Sequence, residues 1–325
     1  MKEIRTKEFE FLSSNKYTDI YGKMWIPNTE IRGIVQISHG MAEYIERYDE
    51  FARFLAANGI LVVGNDHMGH GKSINSEDDL GYFSIPIKGL RGREKEKYSS
   101  SSLVVKDLHH ITKIVKKHYP GLPYILLGHS MGSFLARRYL MQYGEEIDGI
   151  IIMGTGNQSA LKVYTAKILG RLISIVKGER YRSKILNKLV FGAYNRRIKE
   201  HKGANDWITS DESKLAEYEA DNRCGFIFTM NGIDALFYTI QYIIKAENIS
   251  KIPTDVNMLI LSGTEDPVGD YGTAAKKVYE VYSGHGVEDI TIKLYDGCRH
   301  ELIQEKVRDI VYADILDWLE THVLY

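Results

Sequence analysis

The chain has 325 residues, a formal net charge of −1 and 44% hydrophobic residues. This charge balance gives no reason to expect nucleic acid as a partner, because phosphate backbones are bound by basic surfaces. The length exceeds that of one ordinary domain but is short for two large ones, which favours a core domain interrupted by one insertion.

The cysteine content and the hydropathy of the chain indicate in which cellular compartment the protein is expected. The two cysteines, Cys224 and Cys298, are too few for a disulfide framework and lack metal-type spacing, which is compatible with a reducing compartment. Residues 1–22 lack the apolar core of a secretory signal, and no run approaches the roughly eighteen apolar residues of a membrane span. We therefore expect a soluble cytoplasmic protein.

Strand and helix patterns alternate through the first half of the chain. Residues 7–26 favour two strands joined by a polar turn. Beyond them, short apolar runs indicate buried strands, and helical spacing of apolar residues indicates amphipathic helices. The predicted strands are 33–38, 60–65, 124–127 and 147–154, and the predicted helices are 48–57, 98–118 and a third that follows Ser130.

The alternation resumes after residue 255. Eight strands alternating with helices indicate the α/β class, with a mostly parallel, doubly wound sheet that binds ligands at the carboxyl ends of its strands. The loops that follow these strands therefore lie on one edge of the sheet. The strands predicted here are 256–263 and 289–295, and the predicted helices are 270–282 and 301–321.

The interval 155–250 breaks this pattern, because it is rich in helix formers and has no convincing strand. We predict that it is a helical cap, inserted after the sixth strand into a core formed by residues 1–154 and 251–325. Between Lys162 and Lys202 the predicted cap carries twelve Lys and Arg residues against two Glu.

The first predicted cap helix, residues 161–176, places its apolar residues largely on one face. A basic helix with an apolar face can contact anionic lipid or a fatty acyl chain, so peripheral membrane contact through the basic cap is one interpretation. The alternative is that the face packs onto its own domain and the charges are solvated. The apolar residues of this face are Leu161, Ile168, Leu169, Leu172 and Ile175.

The segment from Tyr124 to Met141 contains the pattern G-x-S-x-G between a predicted strand and a predicted helix. In that context Ser130 occupies a strained turn with its hydroxyl exposed, and glycine flanks the turn because a β-carbon would collide with a neighbouring element. The amide of Met131 then lies at a helix N-terminus, where it can bind an oxyanion. We predict that Ser130 is a nucleophile; the alternative is a helix-capping serine beside a flexible turn.

A serine nucleophile needs a base, and the base needs a third group to fix its tautomer. In this kind of sheet the chain order is serine, acid, histidine. Asp266 follows a late strand and is the predicted acid, with Glu265 and Asp270 as competitors and helix capping as its alternative role. His300 lies between the last strand and the final helix and is the predicted base, unless it is a surface loop residue.

A second oxyanion donor should come from the loop after the strand that ends at Ser38. Met41 can supply its amide there, and Gly40 gives the backbone room to approach. We therefore predict Met41 and Met131 as the pair of donors.

The remaining histidines do not indicate a metal or another cofactor. His67 and His70 are three residues apart in a glycine-rich loop without an obvious third ligand, which disfavours zinc. No phosphate-binding glycine motif follows a strand in the required context, so a nucleotide is not expected either. We interpret the loop Asp66–Ser73 as a structural turn that braces the loop containing Gly40 and Met41.

Five segments taken together resemble the monoacylglycerol lipases and bacterial lysophospholipases of the α/β-hydrolase family. This resemblance implies the α/β-hydrolase fold, a triad of Ser130, His300 and Asp266, and oxyanion donors at Met41 and Met131. The predicted cap also contains DWITSDE (206–212) and DNRCGFIFT (221–229), which resemble the bacterial branch. The five segments are HGMAEYIERY (39–48), NDHMGHGKS (65–73), GHSMG (128–132), SGTEDPVG (262–269) and YDGCRHELIQE (295–305).

The resemblance also implies that Glu43 and Arg47 form a polar pair near the head-group end of the site, although residues four apart can equally be an ordinary helix-surface pair. Tyr44 stands where the family often has a second histidine, and Met68 stands where it usually has arginine. No residue of the predicted cap is assigned to substrate by the resemblance. The candidate substrate-binding residues are Gly40, Glu43, Arg47 and His129.

The leading hypothesis is a serine carboxylester hydrolase that acts on a small ester with a single acyl chain, a monoacylglycerol or a lysophospholipid, without a cofactor. An amidase or aminopeptidase would share this machinery but needs a cap carboxylate to hold the substrate amine, and Glu217, Glu219 and Asp221 leave that alternative open. A non-catalytic binding module is the third possibility. Serine at position 130 argues against epoxide hydrolase or dehalogenase chemistry, because those enzymes use an aspartate nucleophile on this fold.

Overall fold

The computed structural model describes residues 4–83, 100–198 and 201–324. Within these residues an eight-stranded sheet has the order β1-β2-β4-β3-β5-β6-β7-β8. Strand β2 is antiparallel to both of its neighbours, and the remaining pairs are parallel. The strands are β1 Arg5–Leu12, β2 Asp19–Ile26, β3 Gly33–Ser38, β4 Ile60–Asn65, β5 Tyr124–His129, β6 Gly149–Met153, β7 Asn257–Gly263 and β8 Ile290–Tyr295.

Helices cover both faces of this sheet. Helices α1 and α10 pack on one face, α2, α3 and α9 pack on the other, and α7 packs on α2 and α3. The helices are α1 Asp49–Ala57, α2 Ser100–His118, α3 Met131–Tyr143, α4 Ala160–Lys177, α5 Lys184–Phe191, α6 Glu212–Ala220, α7 Met230–Ile243, α8 Ala246–Ile249, α9 Thr273–His285 and α10 Arg308–His322. Residues 98 and 99 of the second predicted helix lie outside the described residues.

The central strands are buried on both sides. Every residue of β3, β4, β5 and β6 is buried, and successive side chains alternate between the two apolar layers. Ile34 faces one layer and Val35 the other, as the two-residue period of a strand requires. Continuous apolar runs therefore belong to strands with helices on both faces. The predicted eight-stranded, mostly parallel sheet is confirmed.

Two predicted helix boundaries are wrong. The helix predicted at 270–282 begins at Thr273, because Asp270, Tyr271 and Gly272 have positive φ angles of 47°, 57° and 84° that no helix tolerates. The helix predicted at 301–321 begins at Arg308. The residues before it form a short 3₁₀ turn, Leu302–Gln304. On either side of this turn the backbone bonds to the insertion instead of continuing a helix: the Glu301 amide donates to the carbonyl of Ile208, and the carbonyl of Gln304 accepts from the Thr209 hydroxyl.

Between β6 and β7 the described residues contain helices α4 to α8 and no strand. We propose that residues 155–250, called the insertion below, form the predicted cap. Of the helices described, none is both long and apolar enough to cross a lipid bilayer.

Candidate active site

Ser130 lies in a sharp turn between β5 and α3. Its φ and ψ angles of 53° and −120° are unusual for a residue with a β-carbon, and such strain persists only where the surroundings fix it. A β-carbon on Gly132 would overlap the carbonyl oxygen of Ser38, and one on Gly128 would overlap that of Gly132. Glycine is therefore needed at both positions, as predicted from the motif.

The parallel strands bring the predicted residues to one edge of the sheet. Ser130 follows β5 and donates its amide to the carbonyl of Met153 at the end of β6 (3.0 Å). Asp266 follows β7, and His300 follows β8. Chain segments that are more than one hundred residues apart in sequence thus meet at the carboxyl ends of neighbouring strands.

Asp266 and His300 form a buried pair. The Asp266 Oδ1 to His300 Nδ1 distance is 3.0 Å, and the exposed fractions of the two residues are 0% and 3%. Because Nδ1 faces a carboxylate, the proton of the neutral ring belongs there and Nε2 is left as the acceptor. Glu265 is exposed and Asp270 precedes α9 in a left-handed conformation, so Asp266 is the carboxylate that meets His300.

Two glycines form the walls around Ser130 and His300. A β-carbon on Gly40 would lie 3.1 Å from the Cβ atom of Ser130, and one on Gly154 would lie 3.2 Å from the Cε1 atom of His300. Gly154 has a φ angle of +59° and was missed by the sequence analysis. The sequence did indicate a special position there, because Gly154 is the glycine that ends the predicted strand 147–154.

His129 lies between these elements. Its ring centroid is 4.8 Å from that of His300, its Nδ1 is 3.1 Å from Glu43 Oε1, and its Nε2 is 3.3 Å from the carbonyl oxygen of His300. Both ring nitrogens thus face acceptors, which favours the imidazolium. Burial opposes the charge, but the hydrogen bond to Glu43 outweighs it, and the pKa of His129 is raised.

Glu43 is buried and its carboxylate is occupied by protein groups. It accepts from the amide of Gly40 (2.5 Å), the hydroxyl of Tyr48 (2.9 Å) and the guanidinium of Arg47 (2.8 Å), besides facing His129. Burial would raise the pKa of Glu43, but His129 and Arg47 lower it, so the group is ionised. With 3% exposure Glu43 does not belong to a surface pair, and that alternative is wrong.

Arg47 connects the Gly40 loop, defined as residues 39–44, to the loop that carries His300. Its guanidinium binds Glu301 through two hydrogen bonds of 2.7 Å and lies 4.9 Å from the ring centroid of Tyr218. Such a bidentate pair fixes both position and angle. Arg47 and Glu43 therefore support the backbone on both sides of Ser130, and their role toward substrate stays a prediction.

The loop Asp66–Ser73 braces the Gly40 loop, as predicted. The amide of His67 donates to His39 Nε2 (2.8 Å), so the proton of that ring is on Nδ1, which donates to the carbonyl of Gly40 (2.8 Å). The amide of Ile45 donates to Asp66 Oδ1 (2.8 Å). Met41 thus lies in a loop whose two ends are both fixed, while Met131 is the first residue of α3.

His39, His67 and His70 pack together behind the Gly40 loop. The ring centroid of His39 is 4.1 Å from that of His67 and 5.1 Å from that of His70. Burial lowers the pKa of His39 to about 4 and that of His70 to about 3, so both are neutral. Among the described residues, no group of three or more His, Cys, Asp or Glu side chains is arranged to hold a metal ion.

The insertion covers His300. The ring centroid of Trp207 lies 5.1 Å from that of His300, and the Trp207 ring packs in turn against Tyr194. The Arg299 guanidinium donates to the carbonyls of Asp206 (2.7 Å) and Thr209 (3.0 Å), which fixes this segment to the His300 loop. Trp207 was not assigned from the sequence, although DWITSDE was one of the segments that carried the resemblance.

The sheet order and the strained serine between a strand and a helix define an α/β-hydrolase. The chain belongs to the serine aminopeptidase (S33) family, whose sequence profile matches residues 29–307. The predicted fold is confirmed, and so is the predicted family with its monoacylglycerol lipase relatives.

Similar proteins include lipases and an esterase. The monoacylglycerol lipase of Mycolicibacterium smegmatis is 26% identical over 92% of this chain and 92% of its own length. The monoglyceride lipase homolog of monkeypox virus is 28% identical over 94% of this chain and 95% of its own. A thermostable carboxyl esterase from Bacillus coagulans, solved in complex with glycerol, has a TM-score of 0.87 and 27% identity, covering 98% of this chain and 99% of that one. The chain is an α/β-hydrolase similar to monoglyceride lipases and esterases.

Proposed function

We propose that the protein is a serine carboxylester hydrolase that acts on esters with a single acyl chain, monoacylglycerols or lysophospholipids. The observation that carries the proposal is the buried Asp266–His300 pair, 3.0 Å apart, on the same sheet edge as the strained turn at Ser130. This pair orients the imidazole, and His300 Nε2 is buried without a hydrogen-bond partner among the described residues, which leaves it as the acceptor for the hydroxyl proton of a serine nucleophile.

In the proposed mechanism, His300 Nε2 removes the proton of Ser130, and Ser130 Oγ attacks the ester carbonyl. The amides of Met41 and Met131 stabilise the tetrahedral oxyanion, each contributing about 3 kcal/mol to the transition state. His300 then returns the proton to the leaving alcohol. Water attacks the acyl-enzyme by the same steps, while Asp266 stabilises the imidazolium.

The proposal of a single-chain substrate rests on the relatives named monoacylglycerol lipase and on the esterase that holds glycerol. Lysophospholipids have the same acyl ester but carry a phosphate head group. Four hydrogen-bond partners occupy Glu43, so we propose that it positions the Gly40 loop while Gly40 itself, beside Ser130, adjoins the substrate.

The insertion supports a site for substrates taken from a lipid surface. The predicted apolar face of α4 does not pack onto its own domain, because the buried residues of that helix are Val163, Lys167 and Gly170. Exposed fractions reach 80% at Ile175 and 77% at Val176. An exposed apolar helix face with interspersed cations suits anionic lipid. The exposed large apolar residues of α4 and α5 are Leu161, Tyr164, Ile168, Leu169, Leu172, Ile175, Val176, Ile185 and Leu189.

An aminopeptidase would need a free carboxylate near the site to hold the substrate amine. The three candidates have protein partners: Glu217 pairs with Lys214, Glu219 accepts from Asn205, and Asp221 binds Tyr44 and Arg223. These contacts favour the ester.

A direct comparison of substrates tests the proposal. We expect hydrolysis of p-nitrophenyl esters with kcat/KM rising from acetate to longer acyl chains, and little hydrolysis of an aminoacyl p-nitroanilide. Monoacylglycerol and lysophosphatidylcholine of the same acyl chain then distinguish the two head groups. Preference for the anilide would support the aminopeptidase instead, and activity that persists in Ser130→Ala would contradict the mechanism.

A further inference from the structure

The Gly40 loop contains a strained residue that is not glycine. Ala42, which directly follows Met41, has a φ angle of +53°, and its exposed fraction is 5%. This left-handed conformation is disfavoured for a residue with a β-carbon. The conformation therefore depends on contacts that hold the loop, and these contacts fix the direction in which the Met41 amide points.

One of these contacts comes from the insertion. The amide of Gly225 donates a hydrogen bond of 3.0 Å to the carbonyl of Ala42. Gly225 is 183 residues away in sequence and ends the segment 221–225, which connects α6 to the chain before α7. The carbonyl of the strained residue is thus held by the proposed cap.

Tyr44, Arg223 and Asp221 reinforce this junction. The hydroxyl of Tyr44 donates to Asp221 Oδ2 (2.5 Å) and accepts from Arg223 Nη2 (2.6 Å). The guanidinium carbon of Arg223 lies 3.9 Å from the ring centroid of Tyr44, and Arg223 also binds both carboxylate oxygens of Asp221. The three side chains form a closed set in which the end of the Gly40 loop and the insertion hold each other in register.

We propose that Tyr44 and Arg223 are positioning residues that keep the Gly40 loop in its strained conformation, so that the oxyanion site is complete only while segment 221–225 of the insertion is docked. The inference rests on the proposed function, because it assigns the Met41 amide to the oxyanion. Tyrosine suits position 44 because its hydroxyl donates to Asp221 while it accepts from Arg223.

The inference connects the insertion to catalysis through the backbone. When segment 221–225 leaves the loop, Ala42 is free to relax out of the left-handed region and the Met41 amide turns away from Ser130. Substrate can still enter and bind, since neither Tyr44 nor Arg223 is among the groups placed next to Ser130. We therefore expect kcat to fall and KM to change little.

The chain offers a closely matched control. Arg180, also in the insertion, binds Asp79 of the core (2.7 Å), and its guanidinium carbon lies 4.1 Å from the ring centroid of Tyr82. This junction has the same chemistry as that of Arg223, an arginine over a tyrosine and paired with an aspartate. It does not contact the Gly40 loop, so Arg180→Ala controls for the loss of a cap-to-core junction.

The test measures kcat and KM on p-nitrophenyl butyrate for Arg223→Ala and Arg180→Ala, with and without Ala42→Gly. We expect Arg223→Ala to lower kcat about tenfold or more, with KM within about threefold, since loss of a whole oxyanion donor lowers kcat 10²- to 10³-fold. In the Ala42→Gly background the same change should lower kcat less than about threefold, because glycine adopts positive φ without strain. Tyr44→Phe, which retains the ring, should show a smaller loss with the same dependence on Ala42.

The outcomes separate this inference from the proposed function. If wild type hydrolyses no ester, the proposed function fails and this inference fails with it. If wild type is active but Arg223→Ala has the kcat of Arg180→Ala, the inference is overturned and the proposed function stands. A loss of kcat that is equal with and without Ala42→Gly also overturns it, because the effect would then not act through the strained residue. Should Arg223→Ala not fold, Tyr44→Phe in both backgrounds decides.

Discussion

His129 lies with its ring centroid 4.8 Å from that of His300, and Gly154 is in contact range of both rings. A β-carbon on Gly154 would be 3.2 Å from His300 Nδ1 and 3.3 Å from His129 Cδ2, closer than most real β-carbon contacts. The space that Gly154 leaves open therefore determines how the His300 ring sits against Asp266.

Gly154→Ala should accordingly impair catalysis more than stability. The added methyl group must displace the His300 ring, so we expect kcat on p-nitrophenyl butyrate to fall about tenfold or more, since small misplacements of catalytic groups are costly. Gly121→Ala is the matched control, because Gly121 also has a positive φ, +76°, but a β-carbon there would meet nothing within 4 Å. Both variants should lose about 1 kcal/mol of unfolding free energy. Equal kcat values in the two variants would contradict this account.

We expect the free energy of unfolding to depend on pH through the protonation of His70. Burial lowers its pKa to about 3, against about 6.5 in the unfolded chain. The contribution of neutral His70 to the free energy of unfolding is fully present above pH 6.5. It is lost as the pH falls, because only the unfolded state gains a proton at this residue. Between pH 6 and 4 this loss amounts to about 1.4 kcal/mol per pH unit.

The variant His70→Phe has no titratable group at this position, so its unfolded state does not gain this proton as the pH falls. The ring lies among Phe83, Phe226 and Phe228, at centroid distances of 5.3–5.5 Å, so phenylalanine suits the site. We expect urea unfolding at pH 8, 6 and 5 to show that the free energy of unfolding of the variant increases relative to that of wild type as the pH falls. His118→Phe, at an exposed position, controls for the loss of a histidine. A constant difference between wild type and His70→Phe would mean that His70 is not held neutral.

Binding to vesicles tests the proposed lipid contact. Replacing Ile175 and Val176 by serine removes two of the most exposed apolar side chains of α4, and we expect co-sedimentation with phosphatidylglycerol vesicles to fall about fivefold or more. Ile310→Ser, at a 56% exposed position on α10, should leave it unchanged. Turnover of a short soluble ester should be the same in all three proteins. If wild type does not co-sediment with anionic vesicles, the proposed membrane contact is wrong.

The sequence predicted the sheet well and the supporting contacts poorly, for a physical reason. Strands β3 and β4 were predicted to the residue, because a strand buried on both faces must be apolar throughout. The start of α9 was missed, because the chain before it forms a turn closed by a hydrogen bond from the Tyr271 amide to the carbonyl of Asp266 (2.8 Å), in which Asp270 and Tyr271 have positive φ angles. Residues with a β-carbon rarely adopt positive φ, so residue propensities do not predict this turn.

The candidate site shows the same division. Ser130, Asp266 and His300 could be placed from motif and chain order, because each follows a strand of a parallel sheet. The burial of Glu43 could not be predicted, because its partner His129 is 86 residues away and a glutamate four residues before an arginine looks like a surface pair. The contact of Gly225 with Ala42 likewise exists only in the folded chain.

The central claim is that His300 activates Ser130, and labelling with a fluorophosphonate followed by intact mass measurement tests it most directly. The account predicts that wild type gains one probe adduct, that Ser130→Ala gains none, and that His300→Ala reacts slower by about 10³-fold or more. Wild type that stays unlabelled, or Ser130→Ala that is labelled at the wild-type rate, would contradict it.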